Sequence, residues 1–279
     1  MFAELTISSN KGSFSVECNF ELSPKSQLIL ISILQVLGLF NKEYQLLYQF
    51  MFKKLRNIGD CGIVCDFGDE VNQKINAGVI KLFHHLKKQV SKGNLKGILN
   101  YTPSYNKLII DFDLEKINSS KIIDFLQSVD FSQLNFSQNK KDWIIPICYD
   151  FGMDLENMSK TLKIDREEIK NIHLNTTFFI YMVGFIPGHP FMGDLDSKLF
   201  LNRLKTPRVK IPPGSVGIVE KFCNIYPYES PGGWNIIGRT PTKLFNKKDN
   251  SNPCLLSPGD SVKFKSISKK EFEKLNNEQ

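Results

Sequence analysis

The chain has 279 residues, 41% hydrophobic and 23% charged, which excludes gross disorder and leaves room for two cores of ordinary size. Its net charge of +7, from 36 basic and 29 acidic residues, rests largely on lysines scattered among Asn, Ile and Phe. Coding-DNA bias also produces that composition, so the charge makes no case for a nucleic-acid partner. No membrane span is expected either: the most apolar run, Leu28 to Phe40, is short and interrupted by Ser32 and Gln35.

Residues 1–50 stand apart, alternating weakly from Leu5 to Phe20 and then carrying one helix begun at Ser23-Pro24. They are either a small appended element or lie upstream of a start at Met51. From 51 to 138 a βαββαβ order is read. Cys61 to Phe67 is a strand closed by Gly68-Asp69. Val71, Ile75, Val79, Leu82, Phe83, Leu86 and Val90 fall at helical spacing. Leu95 to Tyr101 and Leu108 to Phe112 are strands joined by the turn Pro103-Ser104-Tyr105-Asn106, and Ile117 to Val129 is a second helix. This order fits a ferredoxin-like sandwich. His84 and His85 are adjacent and point apart, whereas a metal pair on a helix wants i, i+4 spacing; no metal site is expected.

Residues 139–268 read differently. Trp143 to Tyr149 is a strand, followed by two short helices meeting near Lys163, with Asp165 and Glu168 spaced as a capping box. The pair looks like a DNA-reading helix-turn-helix, but Asp165, Glu167 and Glu168 carry the wrong sign for phosphates. Beyond His173 come short strands between Gly/Pro turns: Phe178 to Val183, Ser215 to Val219, Asn235 to Gly238, Lys243 to Phe245 and Ser261 to Lys265. Close-spaced short strands suggest a small closed barrel. Residues 269–279 read as a frayed, charged tail. The six cysteines form no CxxC pair and sit among apolar neighbours, as buried thiols of a reducing, cytoplasmic compartment would.

The stretch Ser230 to Thr240, SPGGWNIIGRT, is glycine-rich without being a Walker loop, since a strand rather than Lys and Ser/Thr follows Gly233. Together with GFIPGHPFMGDLD (Gly184 to Asp196), PRVKIPPGSVGI (Pro207 to Ile218) and IYPYESPGGWNIIGRTPTKLF (Ile225 to Phe245), it resembles the family of B-type 5-oxoprolinase subunits, also known as the KipI family and as allophanate hydrolase subunit 1. The likeness runs from Met51 to about Ile267. It implies an α+β protein, a ferredoxin-like N-terminal domain followed by a cyclophilin-like β-barrel domain. It also implies partners: a C-type 5-oxoprolinase subunit built on a related barrel, and a third subunit. Together they open 5-oxo-L-proline to L-glutamate with ATP, and Mg beside it, at the level of the complex.

Such chemistry calls for cations facing anions, backbone donors and a proton carrier. Arg208 and Arg239 are candidates for bidentate contacts, Gly232 and Gly233 for close backbone approach, Ser215, Tyr226 and Ser230 for hydroxyls, and Trp234 for an apolar wall. His173, at a position where the family also has histidine, is the candidate general acid/base. Each has a plainer reading: Arg239 bonding loop carbonyls, the glycines supplying positive φ, Trp234 filling core, His173 capping its helix. Two departures bear on the substrate. Where the family usually has Phe-x-Tyr-Leu after Pro-Gly, this chain has His189-Pro190-Phe191-Met192; where it usually has Gln-Thr-Gly, this chain has Phe222-Cys223-Asn224. The competing functions are a histidine-kinase inhibitor and a carboxyltransferase-type subunit of a urea- or amide-processing enzyme, for which biotin would come from another chain.

Overall fold

The computed structural model describes residues 53–131, 134, 140–249 and 251–278, together with the backbone of two strands, Leu5–Asn10 (β1) and Ser13–Cys18 (β2). The chain divides into two compact units, Met1–Gln49 and Phe50–Gln279. In the first, β1 and β2 form an antiparallel hairpin in which Leu5 faces Cys18 and Asn10 faces Ser13. The helix expected from Ser23-Pro24 lies outside the described residues.

The second unit begins with a four-stranded antiparallel sheet in the order β3-β4-β6-β5, made of Lys54–Ile58 (β3), Gly62–Asp66 (β4), Ile98–Pro103 (β5) and Lys107–Phe112 (β6). Gln73–Ser91 (α1) and Ser119–Gln127 (α2) bury one stripe each against it. Both helices start where an Asn side chain takes an orphan N–H: Asn72 accepts from Ile75 (2.9 Å) and Asn118 from Lys121 (3.0 Å). Val79, Leu82 and Leu86 of α1, Ile122 and Leu126 of α2, and the alternating Leu108, Ile110 and Phe112 of β6 close one core. The chain order is ββαββα rather than the expected βαββαβ. The edge place beside β4 is taken by β3, which precedes it, and among the described residues no strand after α2 joins this sheet.

The second layer is a seven-stranded sheet in the order β14-β11-β12-β9-β8-β15-β7. Its strands are Asp142–Ile147 (β7), Phe178–Val183 (β8), Pro190–Gly193 (β9), Ser215–Val219 (β11), Phe222–Ile225 (β12), Asn235–Arg239 (β14) and Ser261–Ser266 (β15). Arg208–Ile211 (β10) and Ser230–Gly232 (β13) pair separately beside it. The ends of the large sheet nearly meet: Cys148, just past β7, exchanges backbone bonds of 2.8 and 3.0 Å with Arg239 at the end of β14. The result is an almost closed barrel, packed by Ile145, Phe178, Ile180, Val216, Ile218, Ile225, Ile237 and Phe264. Pro146 sits within β7, a position open to it because β7 is the last strand of the sheet.

Two helices, Leu155–Leu162 (α3) and Arg166–Asn175 (α4), pack on the barrel, and Lys163 between them takes a left-handed conformation (φ 57°) that ends α3. The capping box does not form, since the Asp165 side chain makes no cap bond. The strand expected at Lys243 to Phe245 is a single bridge, Phe245 to Cys254. The tail is ordered: Lys269–Asn277 (α5) is capped by Ser268 and buries Phe272 against Phe151, Cys148 and Ile267.

Asn76 of α1 joins the two layers. Its fully buried Nδ2 donates to the carbonyls of Ser104 (3.2 Å), Tyr105 (2.9 Å) and Tyr181 (3.1 Å). Lys221 Nζ donates to the Val71 carbonyl (2.7 Å), and Gln73 Nε2 to Asp194 Oδ2 (2.7 Å).

Candidate functional site

Strands β9 and β12 lie side by side, with Asn224 opposite Phe191, and β12 in turn pairs with β11, with Asn224 opposite Gly217. This register brings the loop 184–189, the Phe222-Cys223-Asn224 segment and Tyr226 together. The Asn224 amide fits because Gly217 has no side chain: a Cβ there would meet Asn224 Oδ1 at 2.8 Å and Trp234 Cβ at 2.9 Å. His189 stacks on Phe191 (centroids 4.5 Å apart, 27° between planes) and approaches Tyr226 at 5.3 Å. Tyr105, held in place by Asn76, closes the other side against Tyr181, Phe191 and Phe222 at 5.1–6.2 Å.

Within this aromatic enclosure the polar groups are few. Asn224 Nδ2 lies 3.0 Å from His189 Nε2, while Asn224 Oδ1 and His189 Nδ1 are buried without a partner. Each such orphan costs about 1–3 kcal/mol. Burial pulls His189 down to about 4, so it is neutral at pH 7. With Asn224 Nδ2 donating, His189 accepts at Nε2 and carries its proton at Nδ1. Burial raises the Tyr226 phenol, opposed by hydrogen bonds from the Asn224 side chain and the Trp234 backbone and by the charge of Arg203. Arg203 is exposed and forms no salt bridge among the described residues.

The residues expected to form a phosphate cradle do not converge. Arg208 is spent on Asp154, its Nη2 and Nη1 donating to Oδ1 (2.6 Å) and Oδ2 (3.0 Å). Asp154 is 4% exposed and also accepts from the Ile236 N–H (2.6 Å), so the pair is structural. Arg239 donates through Nε to the Pro213 carbonyl (2.6 Å) and lies over Phe272 (5.4 Å) and Phe151 (6.0 Å); burial lowers its pKa. Ser215 is buried opposite Arg239 on β11, and Ser230 sits half-buried opposite Ile211. Neither Gly232 nor Gly233 has a positive φ. Gly232 is bare because the Tyr226 hydroxyl lies against its Cα, and the Gly233 carbonyl accepts from Leu204 (2.8 Å). Trp234 packs with Ile211, Val219, Tyr226 and Ile236 in a small second core that backs the enclosure. Of the expected set, then, Tyr226, Gly232 and Trp234 come together.

His173 is not in that group. It is fully buried, with Nδ1 2.8 Å from the Tyr149 hydroxyl and Nε2 3.9 Å from Cys223 Sγ, between Phe178 and Phe264. Burial pulls it to about 3. It is a buried, neutral residue packed in the barrel core, apart from the aromatic enclosure, and it does not cap α4 as a cation.

No cluster of metal-ligating side chains occurs among the described residues. Arg208 and the Nε of Arg239 are engaged and Gly232 is covered by Tyr226, so these three do not make a phosphate cradle in this geometry. Sequence reasoning overlooked Tyr105, Asn76 and Asp154. A large aromatic in the middle of a turn was the one available signal, at Tyr105.

Residues 53–256 match the family model described as carboxyltransferase domain, subdomain C and D. The B-type subunit of 5-oxoprolinase from Bacillus subtilis (strain 168) is 32% identical over 232 residues, covering 78% of this chain and 95% of that protein. The crystal structure of TTHA0988 superposes with a TM-score of 0.65 at 27% identity over 77% of this chain, which spans 40% of that one. The Kluyveromyces lactis urea carboxylase matches with a TM-score of 0.63 at 23% identity, over 80% of this chain and 22% of the carboxylase, a likeness of fold alone.

Proposed function

The chain belongs to the carboxyltransferase domain family, subdomain C and D, and from that premise we propose that it is the B-type subunit of an ATP-dependent 5-oxoprolinase, inactive alone and acting with a C-type subunit and a third subunit. The observation that carries this reading is the match to the B. subtilis B-type subunit across 95% of that protein's length. We read the seven-stranded sheet as a cyclophilin-like barrel and the four-stranded layer as a ferredoxin-like domain whose edge strand has moved to the front.

The reaction adds water across a cyclic amide: the C–N bond breaks, the oxygen of water joins the acyl carbon, and the ring nitrogen gains a proton. In our reading this chain binds and orients the ring. The enclosure of Tyr105, Phe191, Phe222 and Tyr226 excludes water, which strengthens each hydrogen bond formed inside it. Arg203 supplies a cation for the substrate carboxylate. In this reading ATP and Mg belong on a partner protein, because Arg208 and the Nε of Arg239 are already engaged by Asp154 and Pro213. Buried thiols at Cys65, Cys148 and Cys223 suit a reducing, cytoplasmic setting.

The test is co-expression with the two partner proteins and measurement of glutamate release from 5-oxoproline with and without ATP. Glutamate that requires ATP and all three chains is expected. A stably assembled complex that releases none rejects the substrate.

A further inference from the structure

The loop 184–189 holds an aromatic ring out where nothing in the chain receives it. Phe185 is 85% exposed, more than any other large apolar side chain among the described residues. Its backbone is left-handed (φ 70°), a conformation that glycine takes freely and a bulky residue takes at a cost. The loop itself does not require that side chain. It is closed by backbone bonds, Gly184 N–H to the His189 carbonyl (3.0 Å) and His189 N–H to the Ile186 carbonyl (3.2 Å). The one ring near Phe185 among the described residues is His189, at 6.2 Å between centroids. A ring that is both strained and solvated in the free chain gains nothing there, and its return is to be sought in a complex.

Other exposed apolar groups border Phe185. Gly188 lies flat on Phe245, since a Cβ there would meet Phe245 Cβ at 2.7 Å. The Phe245 ring is 6.4 Å from that of Tyr228, which is 44% exposed. Lys210 reaches Glu229, the neighbour of Tyr228, at 3.3 Å, and so brings the exposed Val209 to the same edge. Segments distant in sequence thus share one apolar rim, the kind of surface that marks a contact site. The charge around it is predominantly basic: Lys210, Lys243, Lys247 and Lys248 are exposed, against Glu229 and Asp249. Glu229 is taken by Lys210, and Asp249 turns back to accept from the Ser251 and Asn252 N–H groups (3.0 Å each). Lys247 and Lys248 form no ion pair among the described residues.

We propose that this rim is a protein-docking face, in which Phe185 enters an apolar pocket of a partner whose surrounding surface is acidic. The inference rests on the reading that this chain acts with a C-type subunit, which is the partner assigned to the face. It adds where that subunit sits and what it must present. The lysines set the sign of the partner surface, by complementarity of charge, and the aromatic knob sets its shape. A protein fits better than an anionic membrane, because Glu229 on the rim would be repelled by acidic headgroups and because the closed loop presents a single ring.

The experiment uses the full chain and its C-type subunit, separately purified and co-expressed. On assembly the amides of 184–189 and 243–249 are expected to gain protection from hydrogen exchange. Phe185→Gly relieves the left-handed strain, so it should melt at or above the wild-type temperature. It should also bind the subunit at least about thirtyfold more weakly, the loss expected of a buried aromatic anchor. Phe185→Asn, which tolerates the same φ, should lose as much. Lys247→Glu with Lys248→Glu should slow association about tenfold at low salt and leave dissociation nearly unchanged. Wild-type affinity in both Phe185 variants, protection confined to other surfaces, or no assembly of the wild-type chain with the subunit overturns the proposal. Binding to vesicles of anionic phospholipid that Phe185→Gly abolishes, with no protection of the rim by the subunit, overturns it in favour of a membrane contact. A complex that forms through Phe185 yet releases no glutamate would instead reject the 5-oxoprolinase reading and leave the docking face standing.

Discussion

Replacing Arg208 with alanine separates two accounts of that residue. If Arg208 were a ligand contact, its loss would spare the fold and abolish activity. The structure assigns it to Asp154, whose side chain is 5% exposed while that of Arg208 is 26% exposed. Removing one partner of a buried pair costs about 3–5 kcal/mol, against about 0–1 kcal/mol for an exposed pair. Here the carboxylate end is dry and the guanidinium end partly wet, and the Ile236 N–H remains as one donor to the stranded carboxylate. The expected loss is therefore about 3 kcal/mol, near the lower end of the buried range. In a domain of this size that lowers the thermal midpoint by roughly 6–12 °C. Urea unfolding of Arg208→Ala, Asp154→Ala and the double variant gives the coupling, expected at about 2 kcal/mol or more, because removing both groups leaves no buried charge. A loss below about 1 kcal/mol, with glutamate release abolished in the assembled complex, would refute the structural assignment and return Arg208 to the site.

Acid should unfold the protein through its buried histidines. His173 titrates at about 3 when folded and near its ordinary value of 6.5 when unfolded, so the unfolded chain takes up its proton first and stability falls as pH drops from 6.5 toward 3. Between pH 7 and 5 that single group should remove about 2 kcal/mol, and His173→Leu should flatten the slope of urea stability against pH by this amount. Phe272→Ala should release α5, making the amides of 269–277 exchange at least about tenfold faster while the barrel amides keep their protection, read by hydrogen exchange. Gly97 has φ +110°, and a Cβ there would meet Ile117 Cγ2 at 2.7 Å and Lys116 Cβ at 2.9 Å; Gly97→Ala should cost about 2–4 kcal/mol by urea unfolding.

Helix α1 is legible because six apolar residues at helical spacing, Ile75 to Val90, carry their own signal (Val71, expected with them, lies before the Asn72 cap), and β6 and β8 because their runs are apolar. The strands that escape such a reading, β3, β9, β10, β12 and β13, are three to five residues long and sit among Gly, Pro and charged residues. β3 and β12 pair across tight turns with β4 and β11 but are too short to show a period of their own, and β10 and β13 bond each other across a longer stretch of chain, so little local announces them. The tail escapes for the same reason: KKEFEKL looks like a solvated end until Phe151, far upstream, is placed against Phe272 at 4.7 Å. In the site, Tyr226, Gly232 and Trp234 are suggested by residue type and converge. Arg208, Arg239 and His173 are suggested on equal grounds, but type does not reveal whether a side chain is already engaged. Asp154, Pro213 and Tyr149 have claimed them. The pairing of His189 with Asn224 needs the β9–β12 register, which two short strands cannot specify by themselves.

The pairing of β7 with β15 has a consequence for the order in which the barrel is made. The strands are parallel, Asp142 opposite Ser261 through Ile147 opposite Ser266, and that first pair is separated by 119 residues of chain. At ribosomal speeds of about 5–20 residues per second, β7 waits on the order of ten seconds for its partner. The four-stranded layer needs nothing synthesised later than α2 for its sheet pairing and can mature during that interval. The barrel cannot, and β7 meanwhile presents an unpaired edge rich in isoleucine, with Ile144 70% exposed even in the finished fold. Pro146, which lacks the N–H that a neighbouring strand would capture, stands in the middle of that edge and blunts it during the wait.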